Sequence, residues 1–160
     1  MEEFKNEAIK MTSKLLDKPY ELWETFNDII VTKILNEQTI TNYNFKLKLD
    51  ELPILEYSAE NSYTLISTQR IISQFKGNYN EILLSKFKRF GNKYEKQNFN
   101  FEDKNNFPKI NLIEVIDVNE NSLIYEIDSH YPAQFSKLLI MNLASYIKNK
   151  RWFWNPSRQA

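Results

Sequence analysis

The chain has 160 residues, 42% of them hydrophobic and 14% aromatic, which is enough for one ordinary core and too apolar for a disordered chain. Basic and acidic residues number 21 each, so no net charge draws the chain to nucleic acid or to an anionic membrane. Cysteine is absent and histidine occurs once, which excludes disulfides, thiolate nucleophiles and cysteine zinc sites. We predict a single domain over residues 1–160 with no cofactor and no metal.

The N-terminal segment, residues 1–38, has helical periodicity. Pro19 suits the first turn of a second helix, whose apolar stripe runs from Leu22 to Ile34. The segment is therefore predicted to form two helices, or one helix kinked at Pro19. The apolar positions of the first helix are Phe4, Ala8, Met11 and Leu15.

From Tyr43 to Leu49 apolar and polar residues alternate, which is typical of a strand with one buried face. Residues 43–128 are predicted to form an antiparallel meander of six to seven short strands, with a hairpin turn at Lys76–Asn78 and interruptions at Pro53 and 58–62. The further strands are predicted at 63–67, 70–75, 80–84, 86–90, 112–118 and 123–128. Residues 92–109 have no period and are predicted to form a long loop.

The C-terminal part returns to helical periodicity after Pro132. We predict a helix over 132–150, capped at its start by Asp128 or Ser129, and an aromatic tail over 151–160. The fold class is therefore predicted as α+β, with N-terminal helices, an antiparallel sheet and a C-terminal helix that covers it.

The segment from Tyr63 to Ile72, with the sequence YTLISTQRII, resembles a strand and turn of the bacterial pleckstrin-homology-like domains. Together with the order of the predicted elements, the resemblance covers residues 43–149. It implies a partly open barrel and a binding function, because such domains bind lipids, peptides or proteins. The N-terminal helices and the 92–109 loop depart from this pattern.

A catalytic interpretation depends on His130, the one side chain that titrates near neutral pH without perturbation. An enzyme would combine His130 with Glu126 and Asp128. Neighbouring residues of an extended chain point to opposite sides, so Ser129 and His130 form no triad. A connection between a strand and a helix explains this segment equally well, and we predict that the chain is not an enzyme.

Two surfaces are candidates for ligand or partner binding. The basic strip, Lys86, Lys88, Arg89 and Lys93, is interleaved with aromatic residues, as in surfaces that bind phosphate or lipid headgroups; a solvated edge strand is the alternative. The aromatic tail combines Arg151 with Trp152 and Trp154, a composition typical of protein interfaces. Its alternative role is to fold back over the core.

The first acidic residues, Glu2 and Glu3, and the lack of a long apolar run depart from a secretory signal or a membrane span, so we predict a cytoplasmic protein. The abundance of Asn, Lys and Ile fits A/T-rich codons and suggests a bacterial source. Our hypothesis is a non-enzymatic protein-binding domain, specifically an immunity-type protein that neutralises a cognate toxin. The alternatives are a pleckstrin-homology-like binder of anionic lipid headgroups and the His130 enzyme.

Overall fold

A computed structural model describes residues 1–25, 30–36, 45–93 and 108–153. These residues form an N-terminal helix, two antiparallel sheets of five and three strands that do not close into a barrel, and a C-terminal helix, which confirms the α+β class. The helices and strands are α1 Glu2–Leu16, β1 Lys33–Ile34, β2 Pro53–Ser58, β3 Ser62–Ser67, β4 Arg70–Phe75, β5 Asn78–Leu83, β6 Phe87–Phe90, β7 Ile110–Asp117, β8 Ser122–Asp128 and α2 Tyr131–Asn149.

The two helices pack on each other and on the sheets. Asn142 of α2 donates its side-chain amide to the hydroxyl of Thr12 in α1 at 3.1 Å, and both residues are fully buried. Tyr125 of β8 shares a buried hydrogen bond of 2.8 Å with Ser136 of α2. These polar pairs fix the alignment of the helices over the sheets, because a buried donor without a partner would cost free energy.

The five-stranded sheet has the order β1-β2-β3-β4-β5, with each strand antiparallel to the next. Lys76 and Gly77, with φ of 52° and 79°, form the two-residue turn between β4 and β5, as the hairpin geometry requires. The meander predicted over residues 63–84 is therefore confirmed. A row of apolar residues crosses the inner face of this sheet, which faces β8 and α2; it comprises Leu55, Ile66, Ile71 and Ile82.

The prediction of a second N-terminal helix is wrong. After Pro19 the chain forms one 3₁₀ turn, Tyr20–Leu22, is extended at Trp23, and later forms the short strand β1. Trp23 packs on Phe135 of α2, with 4.9 Å between the ring centroids. Tertiary contacts such as this one outweigh the helical spacing of the stripe, since propensity is a weak determinant.

The alternating segment after Tyr43 is not a strand in its described part. Residues 45–51, which we call the strap, cross the outer face of the five-stranded sheet without joining a ladder. Phe45 and Leu47 pack on the outer-face cluster, whereas Leu49 is 88% exposed. The alternation arises because one side of the strap contacts the sheet. Tyr43 lies outside the described residues. The outer-face cluster consists of Leu35, Tyr63, Leu65 and Ile72.

Three further predictions are corrected. Pro53 begins β2, where a strand tolerates proline, and does not interrupt the sheet. β6 does not extend the meander, because a 3₁₀ turn at Leu84–Lys86 redirects it to pair with β7. The described strands number eight and not six to seven, since β1 and β2 were not predicted. The helix α2 begins after His130 without a side-chain cap, so neither Asp128 nor Ser129 caps it.

The predicted hairpin of β7 and β8 is confirmed, and most of the predicted 92–109 loop lies outside the described residues.

Candidate functional site

The outer edge of β8 is bonded to the inner face of the five-stranded sheet. Thr64 donates its hydroxyl to the backbone carbonyl of Glu126 at 2.7 Å, and Ser73 donates its hydroxyl to the carbonyl of Ile124. Side chains therefore satisfy carbonyls that a further strand would otherwise bind. We call this the bonded edge. The two hydroxyls belong to one cross-strand row on β2 to β5, the inner row, which comprises Tyr57, Thr64, Ser73 and Asn80.

The side chain of Glu126 is also bound by the five-stranded sheet. The phenol of Tyr57 donates to its carboxylate at 2.9 Å, and the hydroxyl of Ser62 donates to the same oxygen. Burial and the hydrogen bond to Glu126 raise the pKa of Tyr57. The carboxylate therefore serves as an acceptor between the two sheets.

Asp128 accepts three hydrogen bonds from the segment before β1. The amides of Val31 and Thr32 and the hydroxyl of Thr32 bind one carboxylate oxygen at 2.6–2.8 Å. The ring of His130 contacts a different group, the carbonyl of Glu24, at 3.2 Å. The residues of the enzyme hypothesis thus each bind separate parts of the chain, and Asp128 holds the segment before β1.

The basic strip is partly neutralised. Lys88 and Arg89, at the start of the three-stranded sheet, both bind the carboxylate of Glu120, and the hydrogen bond from Lys88 lowers the pKa of that carboxyl. Lys86 lies in the 3₁₀ turn before β6, and Lys93 follows the strand; both side chains are exposed. The four residues lie in β6 and just beyond its two ends, and Glu120 pairs with the two that belong to the strand.

The described part of the aromatic tail folds back on the helices. Trp152 stacks on Tyr146 of α2 and on Phe4 of α1, with ring centroids 4.5 and 5.7 Å apart. Arg151 is exposed, and its carbonyl accepts a hydrogen bond of 2.7 Å from Ser145. Trp154 lies outside the described residues. The structure therefore places Trp152 in the helical layer and leaves Arg151 at the surface.

β5 forms the other long edge, and its outer side has no strand neighbour among the described residues. Its residues 78–81 are exposed, including Tyr79, which is 45% exposed. The two-residue turn pairs Asn78 with Phe75, so residues 78, 80 and 82 bond inward to β4 and residues 79, 81 and 83 direct their amide and carbonyl groups outward. We call residues 78–83 the open edge.

An ion-pair cluster on the outer face supports the open edge. The guanidinium of Arg70 binds both carboxylate oxygens of Glu51 at 2.8–3.2 Å and also binds Glu81 and the carbonyl of Lys46. The side chain of Arg70 is 6% exposed, that of Glu51 is fully buried and that of Glu81 is 37% exposed. Arg70 thereby joins the strap to β4 and β5.

The electrostatics of this cluster favour its charged form. Burial alone raises the pKa of Glu51, but hydrogen bonds from Arg70, from the amide of Lys48 and from Ser67 hold that pKa below its ordinary value. The hydrogen bond to Glu51 raises the pKa of Arg70. Tyr79 donates its phenol to Glu81 at 3.2 Å, so the cluster continues to the solvent-exposed edge.

The four sheet edges differ in how they are protected. β1 has two residues, β6 is irregular in register and carries paired cations, and β8 is the bonded edge. β5 pairs with β4 over six residues without a bulge and contains no lysine or proline, which are the devices that usually prevent strand addition. The open edge is therefore the candidate binding site that sequence reasoning missed, although the predicted hairpin gave its position.

Comparisons of the chain with protein-family models, with curated proteins and with solved structures give no significant match.

Proposed function

We propose that the chain is a non-enzymatic protein-binding domain, specifically a bacterial immunity-type protein that neutralises a cognate toxin. The open edge is the observation that carries this proposal, because a regular six-residue strand edge without a strand neighbour among the described residues is a surface to which another protein chain can add. The exposed Tyr79 beside it is a residue type enriched in protein interfaces.

Two other observations support binding over catalysis. Glu126 and Asp128 already serve as hydrogen-bond acceptors that join the sheets and the segment before β1. His130 contacts the backbone of Glu24. Both carboxylates therefore already have a structural role in holding parts of the fold together.

Competition between sibling cells tests the immunity proposal. We expect a deletion strain to be outcompeted by its parent in mixed culture and to be rescued by a plasmid copy of the gene. A His130→Ala copy should rescue fully, because the proposal gives this side chain no chemical role. Equal competition between parent and deletion strain would contradict immunity, and failure of the His130→Ala copy alone would favour the enzyme.

The second proposal keeps the pleckstrin-homology-like resemblance and makes the basic strip a lipid site. The strand meander followed by a covering helix supports that resemblance, and Lys86 and Lys93 remain exposed. Pairing of Lys88 and Arg89 with Glu120 weakens the attraction to anions. Sedimentation with vesicles that contain anionic lipid tests this proposal. Salt-sensitive binding that disappears when the four cations of the basic strip are replaced by glutamine would favour the lipid-binding function.

A further inference from the structure

We propose that the open edge binds an extended segment of a partner protein as an added strand, with a lysine or arginine of that segment facing Glu81. This inference rests on the proposed function, since it names the partner surface of the same binding domain. The occupant is a separate protein, and the charge of its segment is part of the recognition.

The backbone of β5 provides the hydrogen bonds. Residues Tyr79, Glu81 and Leu83 each direct an amide donor and a carbonyl acceptor away from β4, as the register of the hairpin requires. The strand spans six residues with an unbroken register. An added strand would therefore bond at three alternate positions and would face Tyr79 and Glu81 on the outer face.

The charge of the segment follows from the ion-pair cluster. One guanidinium, that of Arg70, is shared by the two carboxylates of Glu51 and Glu81, so the cluster retains one unit of negative charge. In the part of the chain that the structure describes, Arg70 is the cation that pairs with Glu81. A cation of the added strand would neutralise that charge, because residues directly opposite each other on adjacent strands lie within contact distance.

A second copy of this chain fits less well. β5 contains no basic residue, so a symmetric pair of open edges supplies no cation opposite Glu81. A pairing centred on Glu81 would place two carboxylates against each other, which is unfavourable. Charge complementarity thus favours a different chain as the occupant, and self-association becomes an outcome of the test.

A tethered strand makes the test sensitive. Met1 and Leu83 line the same groove, which has a volume of about 480 Å³, so a segment fused to the N-terminus starts near one end of β5. A Gly/Ser linker of about ten residues has a root-mean-square length of about 18 Å, which approaches the length of the strand. Such a linker gives a local concentration in the millimolar range. The fused segment alternates threonine and valine around a central lysine; the matched control has glutamate in its place.

Amide hydrogen exchange at single residues is the readout. With the lysine segment we expect exchange at Tyr79, Glu81 and Leu83 to slow at least about tenfold relative to the unfused chain, and with the glutamate segment about threefold less. No slowing with the lysine segment would overturn the proposal. Equal slowing with both segments would overturn the role of Glu81. Concentration-dependent slowing in the unfused chain would assign the edge to a second copy.

Leu83→Pro is the variant that blocks the edge. Leu83 has φ of −67°, which matches proline, and its amide points outward, so the fold should survive while one donor is lost. In the lysine fusion this variant should abolish the slowing at Tyr79 and Glu81; persistence of the slowing would contradict strand addition.

The experiments distinguish a failure of the immunity proposal from a failure of strand addition at the open edge. Loss of immunity in the deletion strain without slowing at the edge would keep protein binding and reject this surface. Slowing at the edge without a competition phenotype would keep the surface and reject toxin neutralisation.

Discussion

The inner row meets two different surroundings along its length. At Tyr57, Thr64 and Ser73 its side chains donate hydrogen bonds to β8, and two of these bonds satisfy the carbonyls of Ile124 and Glu126. At Asn80 the same row reaches β5 and is exposed. The fold therefore uses side-chain hydroxyls to protect one edge, whereas the edge at the other end of the same row has no strand neighbour among the described residues.

The largest effect is expected from Arg70→Ala, which removes the support of the open edge. The variant leaves the carboxylate of Glu51 buried without its cation, and breaking a buried pair in this way costs about 3–5 kcal/mol. Urea unfolding measures the loss. A change below about 1 kcal/mol would mean that the cluster does not hold the strap on the sheet.

Thr64→Val tests the bonded edge. Valine keeps the shape of threonine but cannot donate to the carbonyl of Glu126, and an unsatisfied buried acceptor costs about 1–3 kcal/mol. We expect a lower free energy of unfolding in urea. Thr68→Val is a reference of the same residue type: its hydroxyl accepts from the amide of Leu52 in the turn after β3, so it measures the loss of one side-chain hydrogen bond away from this edge. A loss below about 0.5 kcal/mol in Thr64→Val would contradict the role of its hydroxyl in the bonded edge.

The sequence predicts the hairpin of β4 and β5, and therefore the position of the open edge, because alternation and the Lys76-Gly77 turn are local signals. It does not predict that this edge has no strand neighbour in the part of the chain that the structure describes. That property depends on β6 leaving for the other sheet after residues 84–86. No local pattern shows this departure.

Residue type alone identified the basic strip and the aromatic tail, but their partners are distant in sequence. Glu120 lies 32 residues after Lys88, and Phe4 is at the opposite end of the chain from Trp152. Likewise, the spacing of 19 residues between Glu51 and Arg70 has no periodic signature. Periodicity reports which face of an element is buried, and it does not report which charges meet there.

Acid should weaken the side of the sheet that carries the strap. Because hydrogen bonds hold the pKa of Glu51 below its ordinary value of 4.5, its contribution to stability is fully present above that value and is lost as the pH falls through the lowered pKa. We expect Glu51→Gln to be less stable at neutral pH and to have a flatter decline below pH 4.5. The exposed Glu60→Gln is the control. An unchanged slope in Glu51→Gln would contradict this source of acid sensitivity.

The smallest effect is expected from Asn80→Ala, the member of the inner row at the open edge. Its side chain is exposed, and surface substitutions of this kind change the free energy of unfolding by about 0.5 kcal/mol or less. The amides of residues 78, 80 and 82 should still exchange slowly and those of 79, 81 and 83 quickly, since the ladder to β4 is intact. A loss as large as that of Thr64→Val would show that Asn80 has a bonded partner, and the two edges would then be alike. If Asn80→Ala is neutral and Thr64→Val is not, the inner row stabilises the fold at the bonded edge and does not stabilise it at the open edge.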